Sequence, residues 1–121
     1  MDFIYVAAGG ALGAVGRYAI SLIGTKAIFP VQTLLTNIIG AILIGFIVGI
    51  ASSQSNVSAN TILFWKTGIC GGFTTFSTFS LEAYELFERK LYLESGLYVL
   101  LSVVGCLIGI GCGKKMALLF R

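Results

Sequence analysis

The residues best suited to chemistry lie in one run, Gly68-Ile69-Cys70-Gly71-Gly72-Phe73-Thr74-Thr75-Phe76-Ser77-Thr78-Phe79-Ser80. Phe76 and Phe79 stand three apart and share one helix face, with Phe73 a step earlier. Ser77, Thr78 and Ser80 interleave with them. Such spacing ordinarily serves aromatic core packing, but a phenyl ring also has an electropositive edge. A second stripe runs through Thr33, Thr36, Asn37 and Gly40, at i, i+3, i+4 and i+7. The Asn37 amide needs a partner at membrane depth, and either an interhelical bond or a polar path would supply one. A third stripe joins Tyr98, Ser102, Gly105 and Gly109, where Tyr98 suits an interfacial anchor equally well. Ring edges, amide protons and hydroxyls offer positive potential without a full charge. A cation path would show an acidic ring or a carbonyl filter, and no acidic residue lies centrally in an apolar segment. The donor set therefore points to an anion.

Other chemistries are excluded by what is missing. The chain has no histidine, so His-based triads, metal sites and proton relays are ruled out. Its three cysteines, Cys70, Cys106 and Cys112, sit in apolar stretches without a C-x-x-C spacing and read as small buried hydrophobes. The net charge of +3 is too small and too dispersed for a nucleic-acid surface.

The elements that must position these residues are membrane spans. Of 121 residues, 57% are hydrophobic and 11% charged, and the mean hydropathy is +0.97. A soluble domain carries about 25% charged residues, so this chain cannot cover a globule with polar surface. A spanning helix needs about 20 mostly apolar residues. Segments near 3–23, 31–51, 62–81 and 95–119 qualify, the third extending in solvated form to about residue 90. Together they predict an all-α integral membrane protein of one transmembrane domain over residues 1–121. Met1-Asp2 opens with an acid, so the first segment reads as a permanent span and not a cleaved signal. Pro30 suits the start of the second helix, and the polar run 52–60 reads as a loop.

Glycines at helical spacing line the first span (Gly9, Gly13, Gly16), the second (Gly45, Gly49) and the fourth (Gly105, Gly109, Gly113). Small residues at these intervals let helix backbones approach closely. Tight packing of four such helices leaves no pore inside one subunit, so a conduit requires oligomerisation. Adjacent glycines followed by two threonines are poor helix formers, and in the third span they predict a break. Backbone freed there must face protein, water or an ion. Arg17 is the only base well inside a span; snorkelling to the interface explains it, as would attraction of an anion or a structural pairing. Bases divide evenly between the faces: Lys66, Lys114, Lys115 and Arg121 with the termini, against Lys26, Arg89, Lys90 and the neighbouring Arg17. The positive-inside bias needs an excess on one face. A chain without one can insert both ways up and meet a second copy antiparallel.

Three motifs then resemble the Fluc/CrcB fluoride channels: Gly16-Arg17-Tyr18, Thr33-x-x-Thr36-Asn37-x-x-Gly40, and Gly68-x-x-Gly71-Gly72-Phe73-Thr74-Thr75-Phe76-Ser77-Thr78-Phe79. The last is long and specific, and the resemblance covers essentially the whole chain. It implies an antiparallel, dual-topology homodimer with two fluoride pathways along the subunit interface, although some members pair two different chains. It implies that Asn37 lines a pathway and that Phe76 and Phe79 turn ring edges to the ion. A polar track through Ser77 and Thr78 follows, with Tyr98 and Ser102 along the path. It further implies a structural sodium ion on the two-fold axis, placed on backbone carbonyls of Gly71 and Thr74, and passive export of fluoride across the inner (plasma) membrane.

Two rivals compete. A proton-coupled small multidrug-type transporter shares the four-span dual topology but needs a titratable carboxylate in the bilayer, and Asp2, Glu82, Glu85, Glu88 and Glu94 all lie off the span centres. A non-conducting assembly subunit explains the glycines but not the broken span. An enzyme is least consistent, because no hydroxyl has a histidine partner and no cysteine has an obvious base.

Overall fold

The computed structural model describes residues 1–120, and every regular element among them is helical. Arg121, one of the bases assigned to the terminal face, lies outside the described residues. Helix α1 covers Asp2–Ser21 and α2 covers Val31–Ser53, with Pro30 at the N-cap of α2. The next helix, α3, runs over 59–73. It opens with a turn at Ala59–Ile62, continues as a π-helical stretch at Leu63–Cys70, and ends with an α-turn at Gly71–Phe73. Helix α4 covers Phe76–Glu88, and α5 covers Tyr92–Ala117 with a closing 3-10 turn at Leu118–Phe120.

Among the described residues, three helices are long and apolar enough to cross a bilayer: α1, α2 and α5 with its closing turn. The third predicted span is made of α3 and α4 end to end, interrupted at Thr74-Thr75. Both threonines are extended, at φ −82°, ψ 156° and φ −148°, ψ 117°. The break therefore falls on the β-branched pair. Gly71 is fully helical, at φ −63° and ψ −37°. The polar run 52–60 is a loop only in part, since α2 extends through Ser53 and α3 begins at Ala59, where the Ser58 hydroxyl caps it by accepting from the Thr61 N–H at 3.2 Å.

Two dry seams hold the helices. Along the first, α1 lies on α3. A Cβ added at Gly9 would stand 2.9 Å from the Gly68 Cα, and one at Gly13 would stand 2.7 Å from the Phe73 backbone nitrogen. Along the second, α2 lies on α5, and a Cβ at Gly113 would stand 2.7 Å from the Phe46 nitrogen. No side chain fits at these points, so the glycine spacing acts here as the sequence suggests: backbone meets backbone and dispersion contacts are maximised. A smaller cluster of Phe79, Leu86 and Tyr98 fastens α4 to α5.

Helix α4 ends on Lys90, whose φ is +61°. The Leu91 N–H reaches the Leu86 carbonyl at 2.9 Å and the Lys90 N–H reaches the Phe87 carbonyl at 2.9 Å, which is a Schellman cap with lysine in the position glycine prefers. Among the described residues, Glu85 and Arg89 make no ion pair despite their spacing; the Arg89 N–H instead donates to the Glu85 carbonyl at 3.1 Å. Cys70 is buried and Cys106 half-buried as their apolar settings suggest, but Cys112 is exposed on α5.

Candidate functional site

The break frees backbone groups, and side chains from three helices take most of them. Asn37 on α2 bonds Thr75 twice: its Oδ1 accepts from the Thr75 N–H at 2.8 Å, and its Nδ2 donates to the Thr75 carbonyl at 3.1 Å. Of the two uses open to this amide, interhelical bonding is thus realised. One amide proton is left over, because an NH₂ group has two. The Thr75 hydroxyl caps α4 by accepting from the Thr78 N–H at 3.2 Å, and it gathers Thr78 Oγ1 at 3.0 Å and Ser77 Oγ at 3.4 Å. Arg17 donates from Nε to the Gly72 carbonyl at 3.2 Å. Its guanidinium turns inward to the carbonyl end of α3 and does not snorkel, which is the structural pairing among the alternatives for this residue.

Four carbonyls, those of Gly71, Gly72, Phe73 and Thr74, lose the donors a continuous helix would give them, and Arg17 replaces the one at Gly72. In a continuous helix the Thr75 N–H would bond the Gly71 carbonyl and the Thr78 N–H the Thr74 carbonyl. Those donors are spent on Asn37 and on the Thr75 hydroxyl. The Thr74 hydroxyl takes the Cys70 carbonyl at 2.8 Å. Gly71 faces open space, with nothing within 4 Å of where a Cβ would stand. Backbone oxygens with no hydrogen-bond partner among the described residues, and no carboxylate beside them, are ligands of the type a hard monovalent cation accepts.

A groove of about 590 Å³ opens over the break. It brings together six of the residues singled out in the sequence: Asn37, Gly71, Thr74, Phe76, Phe79 and Ser102. Phe76 is 79% exposed and lies along it, while Phe79 is buried to 8%. Their ring centroids are 5.7 Å apart at an angle of 56°. The Ser102 hydroxyl is buried without a hydrogen-bond partner among the described residues, an arrangement that is costly unless a ligand or water completes it. No carboxylate lines the groove.

Ser77, Thr78 and Tyr98 do not line this groove. The two hydroxyls sit beside Thr75, at the N-terminus of α4. Tyr98 is wholly buried, which excludes an interfacial anchor. It packs edge-on against Phe79 at 5.2 Å, and its hydroxyl donates to Glu82 at 3.1 Å. Thr33 donates to the other Glu82 oxygen at 2.7 Å. Glu82, whose role the sequence left open, belongs to a polar cluster behind Phe79. The signal was present: Glu82 follows Phe79 by three residues, hence on the same face. Thr75 was also missed, having been read only as a helix breaker.

Comparison with known proteins places this architecture. The family model described as "CrcB-like protein, Camphor Resistance (CrcB)" matches residues 4–114. The chain is 38% identical over 120 residues to the fluoride-specific ion channel FluC of Methanococcus maripaludis, covering 98% of each protein. It is 42% identical over 119 residues to the FluC of Agrobacterium fabrum, covering 96% of this chain and 95% of that one. It is 45% identical over 104 residues to FluC 1 of Nitrobacter hamburgensis, covering 82% and 81%.

Proposed function

The chain belongs to the CrcB family, and from that premise we propose that it is a fluoride channel that lets the ion leave the cytoplasm passively across the plasma membrane. The observation that carries this reading is the composition of the groove: neutral donors and an exposed phenyl ring over a helix break, with one lysine and no carboxylate in its lining. Fluoride is small and holds its water strongly, so a path must offer many donors at close range. A buried full charge would bind it too tightly to release it; neutral groups bind and let go. The spare Asn37 proton, the unpartnered Ser102 hydroxyl and the Phe76 ring edge can each replace a water.

The groove lies open on the flank of one copy. In our reading a second, antiparallel copy covers it, so that each subunit interface encloses a pathway. The even division of bases supports dual topology. Gly71 and Thr74 of both copies would hold the sodium ion through their released carbonyls. When bound, that ion would satisfy carbonyl oxygens that the break releases. Asn37 and Arg17 hold the broken backbone in place, from Thr75 and Gly72 respectively. Phe79 is a wall stiffened by Tyr98, and Ser77 and Thr78 continue the polar surface along α4.

The test is fluoride efflux from liposomes carrying the purified protein, read with a fluoride electrode. Efflux that dissipates a membrane voltage, with chloride retained, is the expected result. Liposomes no more permeable than protein-free ones would end the reading, and flux that requires counter-transported protons would transfer it to the exchanger class.

A further inference from the structure

One charged side chain lines the groove, and it is a base. Lys66 lies on the π-helical stretch of α3, beside Thr67, which also lines the groove. It is exposed, and it has no carboxylate partner among the described residues. It stands seven residues after Ala59, about 10 Å along the helix axis from the polar loop. An ammonium near the start of an apolar segment is tolerated where water reaches it. The groove supplies that access.

We propose that Lys66 is the anion-gathering charge at the mouth of the pathway: it raises the local concentration of fluoride and sets the capture rate, without being a binding step. This rests on the reading of the groove as an anion path. A cleft lined by one sign of charge between apolar walls focuses its field and speeds capture of the opposite charge. Lysine suits the role because its ammonium is compact, strongly hydrated and carried on a flexible stem. It attracts an anion without closing several donors around it. Deeper in, the groove has only neutral donors, so attraction at the mouth and release within are assigned to different residues.

The experiment uses the full chain in liposomes at fixed fluoride, with ionic strength raised from about 10 mM to about 1 M by an impermeant salt such as isethionate; the Debye length falls from about 30 Å to about 3 Å over that range. At low salt, Lys66→Gln should lower the fluoride efflux rate about threefold, and Lys66→Glu should lower it further. Lys66→Arg should retain the wild-type rate. At high salt the four proteins should converge, which also shows that the variants are intact. A Lys66→Gln rate equal to wild type at low salt overturns the proposal, as does a deficit that persists at high salt. If the wild type itself shows no fluoride flux, the proposed function fails; if only the salt dependence is absent, the role of Lys66 fails alone.

Discussion

Gly71 and Gly72 are neighbours in sequence and opposites in structure. A Cβ at Gly72 would stand 3.0 Å from the Gly10 Cα, with the Gly10 carbonyl closer still, whereas one at Gly71 would meet nothing within 4 Å. The first glycine faces the groove and the second lies in the dry seam between α1 and α3. The same contrast separates the two regions at large. At Gly9, Gly13, Gly72 and Gly113 the seams bring backbone against backbone and leave no room for a side chain. The groove leaves backbone oxygens, a hydroxyl and an amide proton without protein partners. A membrane protein that conducts a strongly hydrated ion needs both: rigid packing to hold the break open, and unmet donors to replace water.

Six substitutions would break or sharpen that contrast. The largest effect is expected at Asn37, which lines the groove and also holds the broken backbone. Asn37→Ala leaves the Thr75 N–H and carbonyl unpartnered, at about 1–3 kcal/mol each, so both thermal stability in detergent and fluoride efflux should collapse. Retention of wild-type stability would show that the break does not depend on this amide. Next, Gly72→Ala should cost about 1–3 kcal/mol by forcing α1 from α3. Gly71→Ala meets no atom of its own copy, so it should cost less than Gly72→Ala. Equal melting temperatures for the two variants would remove the distinction.

Phe79→Ile should destabilise by about 1–2 kcal/mol, because it empties the contact with buried Tyr98, and it should also abolish fluoride flux. Phe76→Ile should abolish flux at a stability cost below about 0.5 kcal/mol, since the ring is exposed. Paired melting and efflux measurements test this, and a conducting Phe76→Ile protein would remove ring edges from the pathway. The smallest effect is far from both regions: Lys90→Gly should stabilise by about 1 kcal/mol, by relieving a left-handed lysine at the end of α4. A lower melting temperature would mean that the lysine side chain contributes more than its backbone costs.

Much of this molecule was legible in its residues. The absence of polar covering surface dictated a bilayer, glycine spacing dictated close seams, and Gly-Gly before Thr-Thr dictated a break somewhere in the third span, because each depends on local composition or period. Asn37, Phe76, Phe79 and Ser102 could be picked out because polar or ring-edged groups at membrane depth need a reason to be there. The tertiary structure decided the rest. Whether the break falls on the glycines or the threonines depends on Asn37 and the Thr75 hydroxyl being there to cap it. Which glycine is packed, where the Arg17 side chain turns, and that Glu82 joins Thr33 and Tyr98 behind Phe79 are facts about residues far apart in sequence. A sequence fixes what each residue can donate, accept or exclude, but only the packing of separate helices decides which of those capacities are met and which are left free for an ion.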